Sequence, residues 1–267
     1  MICLVFSVLF FLKKIKRMLP EEQILDNKPQ QRNGLLDYID YPEIALWKRG
    51  TLLAIGNIFT LTFIAFFVLL FLKISGNPDA ELASDYVCYA LLILALVSPV
   101  FMDVPKLGKL LKRWEPYVVG LAIGIAVICF DNAYLRLVNL FYPSSTSGNE
   151  EAVRQTIDAF PVAAFFIIGF IGPMCEELTY RSGLFGLLRR WHRVPAYIIS
   201  GIIFGLIHFK YTSPNIGLEF LYLPSYILPG VLFSVAYDLY GLPCSYVAHI
   251  TNNLYAVTGY LILKGLQ

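Results

Sequence analysis

The chain has 267 residues, of which 57% are hydrophobic and only 15% charged, with a formal net charge of +2. Soluble domains carry about 25% charged residues, so this composition excludes a disordered chain, a collagen-like chain and an ordinary soluble enzyme. With a mean hydropathy of +0.64, it predicts an all-α, polytopic bundle of transmembrane helices. The small net charge and the lack of a basic aromatic stripe give no footing for a nucleic-acid partner. Five cysteines are scattered singly through apolar stretches, without a CxxC pair, and read as small buried hydrophobes rather than a disulfide or metal framework.

A span needs about 20 apolar residues. Residues 1–12 are apolar but too short, and Lys13, Lys14, Lys16 and Arg17 follow them. They read as an interfacial anchor, or as sequence upstream of a start at Met18. Residues 18–50 are polar and mixed in charge, and read as a cytoplasmic or interfacial segment. Accessory spans are expected over 51–158: Leu52–Leu72, Tyr86–Met102 and one beginning near Tyr117 that carries Gly120-x-x-x-Gly124, a small-residue face for close helix packing. A core of four spans is expected over 159–267: Ala159 to about Leu188, Pro195–Phe209 with Gly201-x-x-x-Gly205, about Leu218–Tyr237 with Pro224 and Pro229, and about Leu242–Leu263. That makes about seven spans. Basic residues cluster at Lys48/Arg49, at Lys106–Arg113 and at Arg189–Arg193, and alternation puts these clusters on one side, the cytoplasmic one.

The fourth span holds Glu176, Glu177 and Arg181, each costing about 2.5–3.5 kcal/mol at mid-span unless paired or hydrated. Glu177 and Arg181 are spaced i,i+4 with the acid first, the favourable order for an ion pair. Glu176 is about 100° round the helix and is left free to face a cavity. His208 lies as far after the basic turn as the two glutamates lie before it, so the hairpin brings them to one depth. Phe204 shares its helix face. His249 and Asn253, again i,i+4, share a face of the last span.

A carboxylate and an imidazole at one depth can activate water, and His and Asn side chains can donate to an oxyanion. A Glu/His/His set can alternatively hold zinc, although no H-E-x-x-H is present. A proton relay or transporter is a rival reading, disfavoured because the polar residues all fall in one half of the chain.

Glu176-Glu177-x-x-x-Arg181, Phe204-x-x-x-His208 and His249-x-x-x-Asn253, in that order and each in an apolar span, resemble the three motifs of the CPBP family. These are the CaaX-prenyl-endopeptidase-like and bacteriocin-processing intramembrane proteases, and the resemblance covers about residues 159–263. It implies a membrane protease whose cavity opens toward the cytoplasm. Glu176 with His208 would activate water, His249 and Asn253 would stabilise the oxyanion, and Glu177, Arg181 and Phe204 would support the site. The mechanism so implied requires no metal, and zinc stays open. The substrate would be a membrane-associated peptide or protein, and the setting the lipid bilayer of the cell membrane. The alternative within the same fold is a non-catalytic binding partner or self-immunity factor. Many family members have Phe-Arg-Gly where this chain has Tyr180-Arg181-Ser182-Gly183.

Overall fold

A computed structural model describes residues 48–56, 111–143 and 145–265, all within the compact unit Tyr41–Gln267. The expected N-terminal anchor, the segment 18–47, nearly all of the first span and the whole second span lie outside the described residues. The described residues are predominantly helical and contain no strand. They form α1 (48–56), α2 (Glu115–Phe141), α3 (Gly148–Ala159), α4 (Pro161–Leu188), α5 (Arg193–Ile207), α6 (Ile216–Tyr222) and α7 (Pro224–Gly265). Among them α2, α4 and the stretch Ile216–Gly265 are long and apolar enough to cross a membrane.

Local chemistry sets the boundaries. Pro116, Pro161 and Pro224 sit in the first turns of α2, α4 and α7, where a missing N–H costs nothing. Ser147 caps α3 by accepting the Glu150 N–H at 3.1 Å, and Asn215 caps α6 through the Leu218 N–H at 3.1 Å. At the far end of α3, Lys264 donates to Asp158 Oδ1 at 2.6 Å and holds that carboxyl below its ordinary range.

The sixth and seventh expected spans are the two limbs of α7. The break falls at Tyr240 and Gly241, with φ/ψ of −138°/19° and 70°/−163°. The positive φ requires glycine there. Phe233 and His249 stack with centroids 4.6 Å apart, whereas on a straight helix sixteen residues span about 24 Å. The chain therefore folds back at Gly241 into a tight hairpin. The sixth span also begins differently from expectation. Residues 216–222 form the separate short helix α6, because Pro224 cannot donate to Phe220 and restarts the helix.

Both small-residue faces pack as expected. A Cβ on Gly120 would lie 2.5 Å from the Cys244 carbonyl oxygen, and one on Gly124 2.7 Å from that of Ala248. So α2 lies directly on the second limb of α7, around a core of Val127, Phe233, Ala236, Cys244 and Ala248. Gly201 of α5 meets Gly230 of the first limb with the same intimacy, a Cβ on Gly230 falling 3.0 Å from the Gly201 Cα. The opposite face of α2 exposes Val118, Leu121, Ile125 and Leu137, as a lipid-facing surface does. Of the described cysteines, Cys175 and Cys244 are buried free thiols and Cys129 an exposed one.

Candidate active site

α4 is not a plain α-helix. Residues Ile167–Ile171 and Glu177–Phe185 are π-helical, with i→i+5 bonds that leave carbonyls over. In the first stretch the Gly172 N–H bonds to the Ile167 carbonyl, which strips Ile168 of its usual donor. Asn253 Nδ2 takes that carbonyl at 2.9 Å. In the second, the Gly186 N–H turns to the carbonyls of Arg181, Gly183 and Leu184, and the Ser182 carbonyl accepts Arg49 Nη1 at 2.9 Å. Each buried carbonyl thus finds a side chain from a distant helix, as buried backbone groups must. The two π stretches flank Glu176, and Glu177 opens the second.

Glu177 and Arg181 are both fully buried, with Arg181 Nε 3.4 Å from Glu177 Oε2, the ion pair the spacing predicts. The other Glu177 oxygen, Oε1, accepts from His249 Nδ1 at 2.9 Å. The sequence reading missed this second partner. The Arg181 guanidinium also sits 4.2 Å from the Phe204 ring centroid, a cation–π contact. Phe204 in turn meets Tyr180 edge-on at 5.9 Å.

His208 differs from expectation in one respect. It was expected inside a span over Pro195–Phe209, but α5 ends at Ile207 and His208 is its C-cap, with φ −90° and ψ −5°. The helical ladder stops there because the loop over 209–215 turns toward α6. At 15 residues α5 is about 22 Å long, so His208 stands about that far from the basic turn. Its Nδ1 is 2.8 Å from the Phe204 carbonyl oxygen. A carbonyl only accepts, so this nitrogen carries the proton and Nε2 is left with its lone pair. By the same logic His249 Nδ1 carries the proton it gives to Glu177.

The expected depth match holds. His208 Nε2 is 3.9 Å and His249 Nε2 3.7 Å from the same atom, Glu176 Oε2. That oxygen is buried without a hydrogen bond, although the Glu176 side chain as a whole is 28% exposed. Of the seven residues singled out in the sequence, six therefore form one contact network. Asn253 lies one turn beyond His249 and has its amide on Ile168. Among the described residues no group of three or more His, Cys, Asp or Glu is arranged to hold a metal ion.

Further residues belong to the site's frame. Phe233 stacks on His249, and Tyr226 on His208 with centroids 5.0 Å apart and planes within 8°. At the basic turn, Asp238 of α7 takes Arg189 Nη1 at 2.7 Å and also bonds Arg193 and Tyr197. Two arginines read as loop charges are thus partners of a buried carboxylate. Arg49, read as a flanking charge, is 1% exposed.

Residues 158–255 match the family model of the type II CAAX prenyl endopeptidases, Rce1-like. The resemblance drawn from the motifs therefore holds for this region, which is similar to that family of membrane proteases. YxdF of Lactococcus lactis subsp. lactis (strain IL1403) is 26% identical over 136 residues, which is 49% of this chain and 76% of that protein. The membrane-embedded CAAX protease MroQ of Staphylococcus aureus (strain USA300) is 26% identical over 169 residues, 57% of this chain and 68% of that protein. No solved structure matches the chain.

Proposed function

We propose that the chain is an intramembrane endopeptidase that hydrolyses a peptide bond in a membrane-associated peptide or protein, using water activated by Glu176 and His208. The observation that carries this reading is the convergence of two imidazole Nε2 atoms on Glu176 Oε2, at 3.7 and 3.9 Å, while each ring's Nδ1 is committed elsewhere. Gaps of that size are too long for direct hydrogen bonds, and one water about 2.8 Å from each atom spans them. Glu176 accepts a proton from that water as it attacks the scissile carbonyl, and His208 orients it through the lone pair on Nε2. The proton then passes to the leaving amine.

His249 stabilises the oxyanion. With Nδ1–H given to Glu177, a second proton on Nε2 makes that atom the donor. Arg181 balances Glu177, and Phe204 supports Arg181. Asn253 Nδ2 has two protons, of which one is spent on Ile168, leaving the second for the oxyanion. In this reading residues 159–267 are the catalytic core, and the protein is multi-pass in the cell membrane. The turn Arg189–Arg193 faces the cytoplasm, and the cavity opens toward that side.

The test is terminal peptidomics of membranes expressing wild type, Glu176→Gln, His208→Ala or His249→Ala at equal levels, with a chelator arm in parallel. New peptide termini that arise with wild type and vanish in all three variants support the reading. Loss of the same termini on chelation assigns Glu176, His208 and His249 to a metal instead. Identical termini in all four samples overturn the water-activation mechanism and leave a non-catalytic binding protein.

A further inference from the structure

We propose that Tyr226 is a positioning residue for His208, holding the imidazole plane so that Nε2 stays aimed at Glu176. The proposal rests on the reading of His208 as the group that orients the water. The need arises from where His208 sits. It is the C-cap of α5, past the regular helix, so the helical backbone does not fix its side chain. The bond from Nδ1 to the Phe204 carbonyl, 2.8 Å, decides which nitrogen points away but leaves the ring free to swing about the hydrogen-bond axis. A swing of that kind carries Nε2 away from Glu176.

Tyr226 blocks it. Its ring is parallel to the imidazole within 8° at 5.0 Å, and the Phe204 ring, tilted by 50° at 4.8 Å, is the other aromatic neighbour. The Tyr226 ring is itself anchored. Its hydroxyl is 2.7 Å from Ser147 Oγ and 3.5 Å from Asn149 Nδ2, and Ser147 is fully buried at the cap of α3. Glu219, also buried, accepts the next N–H, that of Gly148, at 2.8 Å, so the anchor is fixed to α6 as well. The hydroxyl is thus spent on the anchor, and it is the plane of the ring that acts on His208. A phenylalanine keeps that plane, whereas a leucine does not.

The experiment has two independent readouts. Purified protein in detergent micelles is modified with diethyl pyrocarbonate and read peptide by peptide by mass spectrometry, with the exposed His192 as internal reference. The same variants go through the membrane peptidomics described above. Tyr226→Leu is expected to raise labelling of His208 relative to His192 severalfold and to lower the yield of new termini by about tenfold or more. Tyr226→Phe is expected to restore both to near wild type, which a merely structural need for the hydroxyl does not allow. Tyr226→Met, which fills part of the same space without a ring plane, stands in if Tyr226→Leu does not fold, and is expected to raise His208 labelling as well. Unchanged labelling in Tyr226→Leu, or in Tyr226→Met where that variant stands in, overturns the proposal, as does equal loss in Tyr226→Leu and Tyr226→Phe. If wild type yields no new termini but the labelling shift is present, Tyr226 positions His208 and it is the protease reading that has failed.

Discussion

Glu177 divides its two oxygens between His249 and Arg181, and neither member of the ion pair is exposed. A buried pair contributes little net stability, yet removing one member strands the other charge at a cost of about 3–5 kcal/mol. Arg181→Met is therefore expected to lower the melting temperature in detergent sharply, and adding Glu177→Gln to recover part of the loss. A double variant no more stable than Arg181→Met alone rejects the pairing. This pair, Glu176 and the two histidines were all legible in the sequence, because a polar group in an apolar span costs several kcal/mol and stands out for that reason. Tyr226 and Phe233 were not. An aromatic ring in an apolar run has no such cost, and only the fold reveals that it lies on an imidazole.

At the scale of the element, hydropathy located the helices, and the glycine spacings identified the faces on which they meet. Gly124→Val is expected to force α2 away from the Ala248 carbonyl, now only 2.7 Å from where a Cβ would stand. The cost is about 1–3 kcal/mol from overpacking, and Gly124→Ala falls between wild type and valine in thermal unfolding. The π stretches of α4 were not legible. Pro173 signals that a donor is missing within the helix, but not which carbonyl is released or what fills it. Asn253→Leu leaves the Ile168 carbonyl unsatisfied, and a loss of about 1–3 kcal/mol is expected from that alone. Hydrogen exchange that stays unchanged around 167–172 in this variant argues against the cap. The His208 position was misjudged by the same element-level reasoning, since apolar residues continue to Phe209 while the helix stops at Ile207.

For the whole molecule, the proposed orientation follows from where the basic residues lie. Arg189 and Arg193 both spend their charge on Asp238, so their count in the loop overstates the free positive charge available to bias insertion. Gln155 of α3 and Trp191 of the basic turn, exposed beyond opposite ends of α4, give the check. In a cysteine-free background, Gln155→Cys is expected to react with a membrane-impermeant maleimide in intact cells, and Trp191→Cys only after permeabilisation. The reverse pattern inverts the orientation. The antiparallel hairpin at Gly241 was implicit in the sequence as two spans with almost nothing between them. The reach of Arg49 across 133 residues to Ser182 was not, because a single arginine before an apolar run reads as a topological marker.

That reach has a consequence for dissection of the molecule. The stretch that matches the protease family begins at 158, more than a hundred residues after the guanidinium that closes its second π turn. A fragment trimmed to the family boundaries carries the acidic pair, both histidines and Asn253, but has a raw carbonyl at Ser182. It also lacks the packing of α1, whose Leu53 backbone N lies 3.0 Å from where a Gly183 Cβ would stand. Supplying the first half as a separate polypeptide in the same membrane is the natural remedy, the two pieces reassembling in trans as a split protein.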